Sequence, residues 1–170
     1  MDAVLDITTT ELADELVGGV LSAGPSRLEI AGALGLPQVV SLGALDMVNF
    51  GPMASVPERF RQRRLYAHNE NVTLMRTSPA ECAALGRLIA DKLNAARGPV
   101  HLFVPLRGVS QIATAGGVFH DPAADAALIA ALDAHLNCKI TMHKLDTDIN
   151  DPAFARAMAQ CCAVLLEVAQ

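Results

Sequence analysis

Three times in this sequence a capping side chain is followed directly by proline and then by a run of helix formers: Ser78-Pro79, Asp121-Pro122 and Asp151-Pro152. A serine or aspartate oxygen satisfies amides that the first helical turn leaves open. Proline, with its preset φ and no N–H, fits the first helical position. Between these starts lie short apolar, β-branched runs at 100–104 and 140–145. A chain that alternates such runs with well-punctuated helices winds its helices over a parallel sheet. The expected class is α/β, a three-layer, Rossmann-like wound sheet of about five mostly parallel strands.

The remaining elements follow from the same signals. Strands are expected at 4–7, 38–42, 65–68 and 72–75, with an irregular stretch between 43 and 57. Thr8 with Glu11 three residues on reads as a capping box opening a helix that ends near Gly18-Gly19, and a second helix is expected from Pro25-Ser26 to Gly35. Ser78 and Glu81 form another capping box. Leu85, Leu88, Ile89, Leu93 and Ala96 then keep helical spacing up to Gly98. Helices of roughly 121–136 and 151–168 close the chain. No repeat, linker or low-complexity segment interrupts residues 1–170, so a single domain is expected.

Hydrophobic residues make up 52% of the 170 positions, and the mean hydropathy is +0.33. That surplus implies a surface that expects a partner, and the last helix is nearly all apolar beyond Arg156, Gln160 and Glu167. A net charge of −5 without a basic-aromatic pattern argues against nucleic acid, and the basic stretch at 59–64 reads as a solvated connector. No apolar run is long enough to span a membrane and no signal-peptide pattern opens the chain, which gives a cytoplasmic expectation. Cys82, Cys138, Cys161 and Cys162 lack CxxC spacing and read as free, buried thiols of a reducing compartment. His101, His135 and His143 lack ligand spacing, Asp121 and Asp151 are explained as caps, and no metal site is recognised.

Ligands of wound α/β sheets sit beyond the carboxyl ends of the strands, where strand order reverses. Residues expected there are Thr8, Thr9, Thr10 and Glu11, whose hydroxyls and helix-start amides suit a phosphate. Ser22, Gly24 and Arg27 form a second candidate anion loop, although its glycine spacing and missing lysine exclude a Walker motif. Gly43, Asp46 and Asn49 supply a pocket floor. His68, Asn69 and Arg76 offer an acid/base and an anion clamp, and Arg107, Gly108 and Ser110 follow the most apolar strand. His68, Arg76 and Arg107 are the catalytic candidates. Asp46, Asn49, His68 and Arg107 are expected to share one cleft.

The ordered segments at 8–14, 22–27, 43–52, 65–69, 74–77 and 105–110 together resemble one family: bacterial and fungal proteins related to the N-terminal part of the tomato mosaic virus resistance protein, often labelled ATP-binding. The resemblance covers essentially the whole chain, but only the second of the family's two consecutive α/β domains. It implies a nucleotide- or phosphometabolite-binding domain, with ATP as the implied cofactor and a cleft completed by an N-terminal domain. A homo-oligomer is also expected, and the chain by itself should bind ATP weakly and self-associate. Two alternatives stand beside this reading: an enzyme acting on a small phosphorylated or carboxylated metabolite, and a protein-interaction module.

Overall fold

The computed structural model describes residues 2–168. In chain order the strands are β1 (Val4–Thr8), β2 (Gln38–Gly43), β3 (Met47–Phe50), β4 (Leu65–Asn69), β5 (Val72–Arg76), β6 (Val100–Pro105) and β7 (Thr141–Leu145). The helices are α1 (Glu11–Val17), α2 (Ile30–Ala33), α3 (Pro79–Asn94), α4 (Pro122–His135) and α5 (Pro152–Val168). Four strands form a wholly parallel sheet in the order β1-β2-β6-β7. Every residue of β2 is buried and β6 is nearly so, as central strands covered on both faces require. On one face Leu12 of α1, Leu85, Ile89 and Leu93 of α3, and Leu128 and Leu132 of α4 pack with Val40, Leu42, Leu102 and Val104. On the other face α5 sets Phe154 and Met158 against Val39 and Phe103. The wound three-layer α/β class expected from the sequence is therefore the fold observed.

All three proline-led helices start where their caps predict. Ser78 and Glu81 make both bonds of the capping box, Asp121 accepts the Ala124 amide at 3.1 Å, and Asp151 accepts the Ala153 amide at 2.7 Å. Helices α3 and α4 then approach so closely that a Cβ at Gly86 would lie 2.7 Å from both Ala131 Cβ and the Leu128 carbonyl oxygen. Overpacking there costs roughly 1–3 kcal/mol, against a gain of about 1 kcal/mol from alanine's helix propensity. Gly86→Ala is therefore expected to lower stability by up to roughly 2 kcal/mol in urea unfolding, and a midpoint raised by alanine's helix propensity would contradict the tight crossing.

Four expectations are corrected. The Thr8–Glu11 box does not form: β1 pairing continues through Thr8 opposite Gly43, and Thr10, at the residue before α1, makes no side-chain bond to a helix amide. The helix expected from Pro25 to Gly35 is reduced to a series of turns and the four residues of α2. Leu28 has a φ of 73°, a left-handed value through which a right-handed helix cannot run. The stretch after β2 is not irregular throughout, because it contains β3. Finally, β4 and β5 do not join the parallel sheet. Only Glu70 and Asn71 separate them, which permits an antiparallel hairpin alone, and with β3 they form a second sheet in the order β3-β5-β4.

The parallel sheet also contains no reversal of strand order. It steps in one direction from β1 to β7, the arrangement of one half of a doubly wound sheet. Of the cysteines expected to be buried, only Cys82 is; Cys138 is exposed, and Cys161 and Cys162 are half-buried. No described helix is long and apolar enough to cross a membrane.

Candidate functional site

The carboxyl ends of β6 and β7 open into a cleft of about 590 Å³. Its floor is apolar, from Leu106, Ala113, Pro122, Ala126 and Ile129, and its polar groups are Arg107, Thr114, His120, Asp125 and Asp148. The loop after β6 builds one wall. Gly108, with a φ of 140°, supplies a conformation that side-chain-bearing residues rarely adopt, and Ser110 caps the short 3₁₀ turn Gln111–Ala113. Arg107 stands at the mouth, 65% exposed, held by a two-pronged contact to the 72% exposed Asp146: Nε donates at 2.7 Å and Nη2 at 2.5 Å. Each partner stabilises the other's charge, raising the arginine pKa and lowering that of the carboxylate. This pair is solvated and screened, so it holds the guanidinium only weakly.

Beneath the cleft lies a buried polar cluster. The Asp46 side chain accepts the Ser110 hydroxyl at 2.7 Å through Oδ2, while Oδ1 is buried with no hydrogen-bond partner among the described residues. Burial pushes the Asp46 carboxyl up to about 6, against the opposing effects of the Ser110 hydroxyl and the charge of Arg76. Arg76 itself is 3% exposed. Its Nε donates to the Phe119 carbonyl at 2.8 Å, Nη1 to Thr77 Oγ1 at 2.8 Å, and Nη2 to Asp125 Oδ1 at 2.6 Å. Burial raises the Asp125 carboxyl and the Arg76 guanidinium opposes that rise. Arg76 thus ties the antiparallel sheet to the start of α4 and spends its donors inside the protein.

The four side chains expected in one cleft divide. Arg107 lines it, and Asp46 lies below it in electrostatic reach of Asp125. Asn49 is occupied elsewhere: its amide and its Nδ2 both donate to the buried Asp14 carboxylate, at 2.6 and 2.7 Å. His68 is exposed on β4, an edge strand of the antiparallel sheet, with its ring 6.4 Å from that of Tyr66, and the neighbouring Asn69 side chain accepts the Asn71 amide.

A separate group gathers beyond β1. Arg27 is clamped on Asp6 at 2.5 and 2.8 Å, also donates to the Thr8 carbonyl, and reaches Glu11 at 3.4 Å. The Thr9 hydroxyl donates to the Ser41 carbonyl and the Thr9 amide to Gly43. Asn49 Nδ2 reaches Thr10 Oγ1 at 3.4 Å. Ser22 Oγ donates to the Glu15 carboxylate and accepts the Gly24 amide. With its guanidinium already neutralised by Asp6 and Glu11, the β1 end has far less to offer an anion than Arg107 has.

Fold and cleft together define a class: an α/β half-sheet domain with an open ligand-sized cleft at the carboxyl edge of its last two strands. The chain belongs to the uncharacterised protein family UPF0261, matching its C-terminal domain over residues 1–166. It is 51% identical over 165 residues to a UPF0261 protein of Clostridium tetani, with 96% of this chain and 41% of that protein covered. With a UPF0261 protein of Rhizobium meliloti the identity is 52% over 159 residues, covering 92% and 40%. The ToMV resistance protein Tm-1(GCR237) of Solanum lycopersicum is 43% identical over 160 residues, covering 93% of this chain and 21% of the tomato protein. The chain thus spans about 40% of the length of these bacterial relatives.

Proposed function

We propose that this domain binds a small anionic metabolite, a nucleotide or phosphometabolite, in the cleft between β6, β7 and the start of α4. In this reading the remainder of the longer family protein completes the cleft. The observation that carries it is Arg107: an exposed guanidinium fork at the mouth of an apolar-floored cleft, paired among the described residues with a solvated carboxylate that a phosphate displaces. Thr114 and His120 line the same wall and supply further polar contacts. The exposed apolar residues Val20, Leu21, Ile30 and Leu34 support a covered face in the longer protein or in a homo-oligomer. A second reading, an enzyme acting on a small phosphorylated or carboxylated metabolite, is favoured by Asp46, whose displaced titration under the cleft suits proton transfer.

Calorimetry with ATP and a panel of phosphorylated metabolites, on this chain and on a two-domain protein of the family, tests the proposal. Binding is expected to be weak in the isolated chain and tighter in the longer protein. Arg107→Ala should weaken it at least tenfold while Arg27→Ala leaves it unchanged. No binding by either protein, or loss through Arg27 alone, would overturn it.

A further inference from the structure

We infer that His101, His143 and Cys161 form a site for a borderline-soft divalent cation, Zn²⁺ by its ligand chemistry, on the face of the sheet opposite the cleft. The three come from three elements, β6, β7 and α5, and stand 42 and 18 residues apart in sequence. One nitrogen of each ring and the cysteine sulfur all lie within 4.8 Å of one another. A tetrahedral zinc with bonds of about 2.0–2.1 Å to nitrogen and about 2.3 Å to sulfur holds its ligand atoms roughly 3.3–3.6 Å apart, so the ring nitrogens, 2.9 Å apart, spread slightly and the sulfur draws in as the ion binds.

The register explains the convergence. His143 pairs with Phe103 across β6 and β7, and His101 sits two residues before Phe103, on the same side of the pleat. That side is covered by α5, whose apolar packing brings Cys161 down beside the rings. The His143 ring is held flat against Phe103, with centroids 4.4 Å apart, and against His101, at 5.2 Å, so its orientation is set before any ion arrives.

The chemistry favours a metal over a proton at this place. His101 Nδ1 and His143 Nε2 are 2.9 Å apart and share one hydrogen, which joins the rings but leaves the thiol without a part. Imidazole binds metal in its neutral form. Two neutral imidazoles and one thiolate are a zinc-type donor set that leaves a fourth position for water. Binding replaces the thiol S–H bond by a metal–sulfur bond and releases one proton to solvent. All three side chains are half-buried, which gives an ion access without unfolding.

Titration of the full chain with Co²⁺ under anaerobic conditions, followed by Zn²⁺ competition, tests the site. One equivalent of Co²⁺ should produce the thiolate-to-cobalt charge-transfer band in the near ultraviolet, and Zn²⁺ should abolish it. Cys161→Ser should remove the band, Cys162→Ser should retain it, and His143→Gln should weaken Co²⁺ binding about 10–100-fold, with far-ultraviolet dichroism confirming that each variant is folded. Absence of the band in the unaltered chain, or a band that depends on Cys162 instead of Cys161, would overturn the assignment.

Discussion

Arg76→Ala is expected to destabilise the domain by roughly 3 kcal/mol, because the buried guanidinium leaves behind the half-buried Asp125 carboxylate and several acceptors without their donor. The loss extends beyond Asp125. The Phe119 and Asp121 carbonyls and the Thr77 hydroxyl also accept from this guanidinium, so the link between β5 and the start of α4 goes with it. Urea unfolding measures the change, and Asp125→Asn, which keeps an acceptor for Nη2, should cost clearly less. A loss below about 1 kcal/mol for Arg76→Ala would mean that solvent replaces the guanidinium, and would return Arg76 to the pool of residues available for a ligand.

Asp46 gives the second large effect, and it depends on pH. Its carboxyl titrates near 6 in the folded protein against an ordinary 3.8, so between those values the folded state holds a proton that the unfolded chain has released. Stability contributed by this group is therefore greatest in acid and declines as pH rises from 3.8 to about 6, by roughly 3 kcal/mol in all. Asp46→Asn keeps the shape and an acceptor for Ser110 but carries no charge to desolvate. The variant should be no more stable than the parent at pH 4 and more stable at pH 8, by up to roughly 3 kcal/mol. Thermal melts at the two pH values decide this, and parallel curves for the two proteins would contradict a buried, displaced carboxyl.

What the sequence reveals and conceals follows from the range of each interaction. The starts at Ser78, Asp121 and Asp151 are legible because a cap and its amide lie two or three residues apart. Thr8 shows the limit of the same signal: the motif is present, but pairing with Gly43, 35 positions away, takes the residue into a strand. The β4 and β5 runs are visible as strands, but their place in a second, antiparallel sheet is not, because that sheet depends on β3, which the sequence hides in a stretch read as irregular. Arg107 lines the cleft, and Ser110 and Asp46 join each other beneath it, because all three follow strands whose ends a wound sheet brings to one edge. Asn49 satisfies the same rule and turns inward to Asp14, since a buried carboxylate needs donors and nothing local supplies them. His120 and Asp125 line the cleft but are not among the residues expected there, because the sequence presents both at the start of a helix, where capping accounts for such residues. His101 and His143 meet only through the register of β6 with β7, which no local spacing encodes.

The rim of the cleft is tied by backbone bonds between successive loops. Thr9 donates to the Gly43 carbonyl, Ala44 to Val109, Arg107 to Thr147 and Ile149 to Gly108, each at 2.8–3.0 Å. These crossings link the segments after β1, β2, β6 and β7 into one continuous band. Opening any one loop breaks bonds shared with the next, so the rim fluctuates as a single cooperative unit and its amides become exposed to solvent exchange together. If the cleft takes the anionic ligand proposed for it, that ligand meets a wall already set in place, and little of its binding energy goes into ordering the protein.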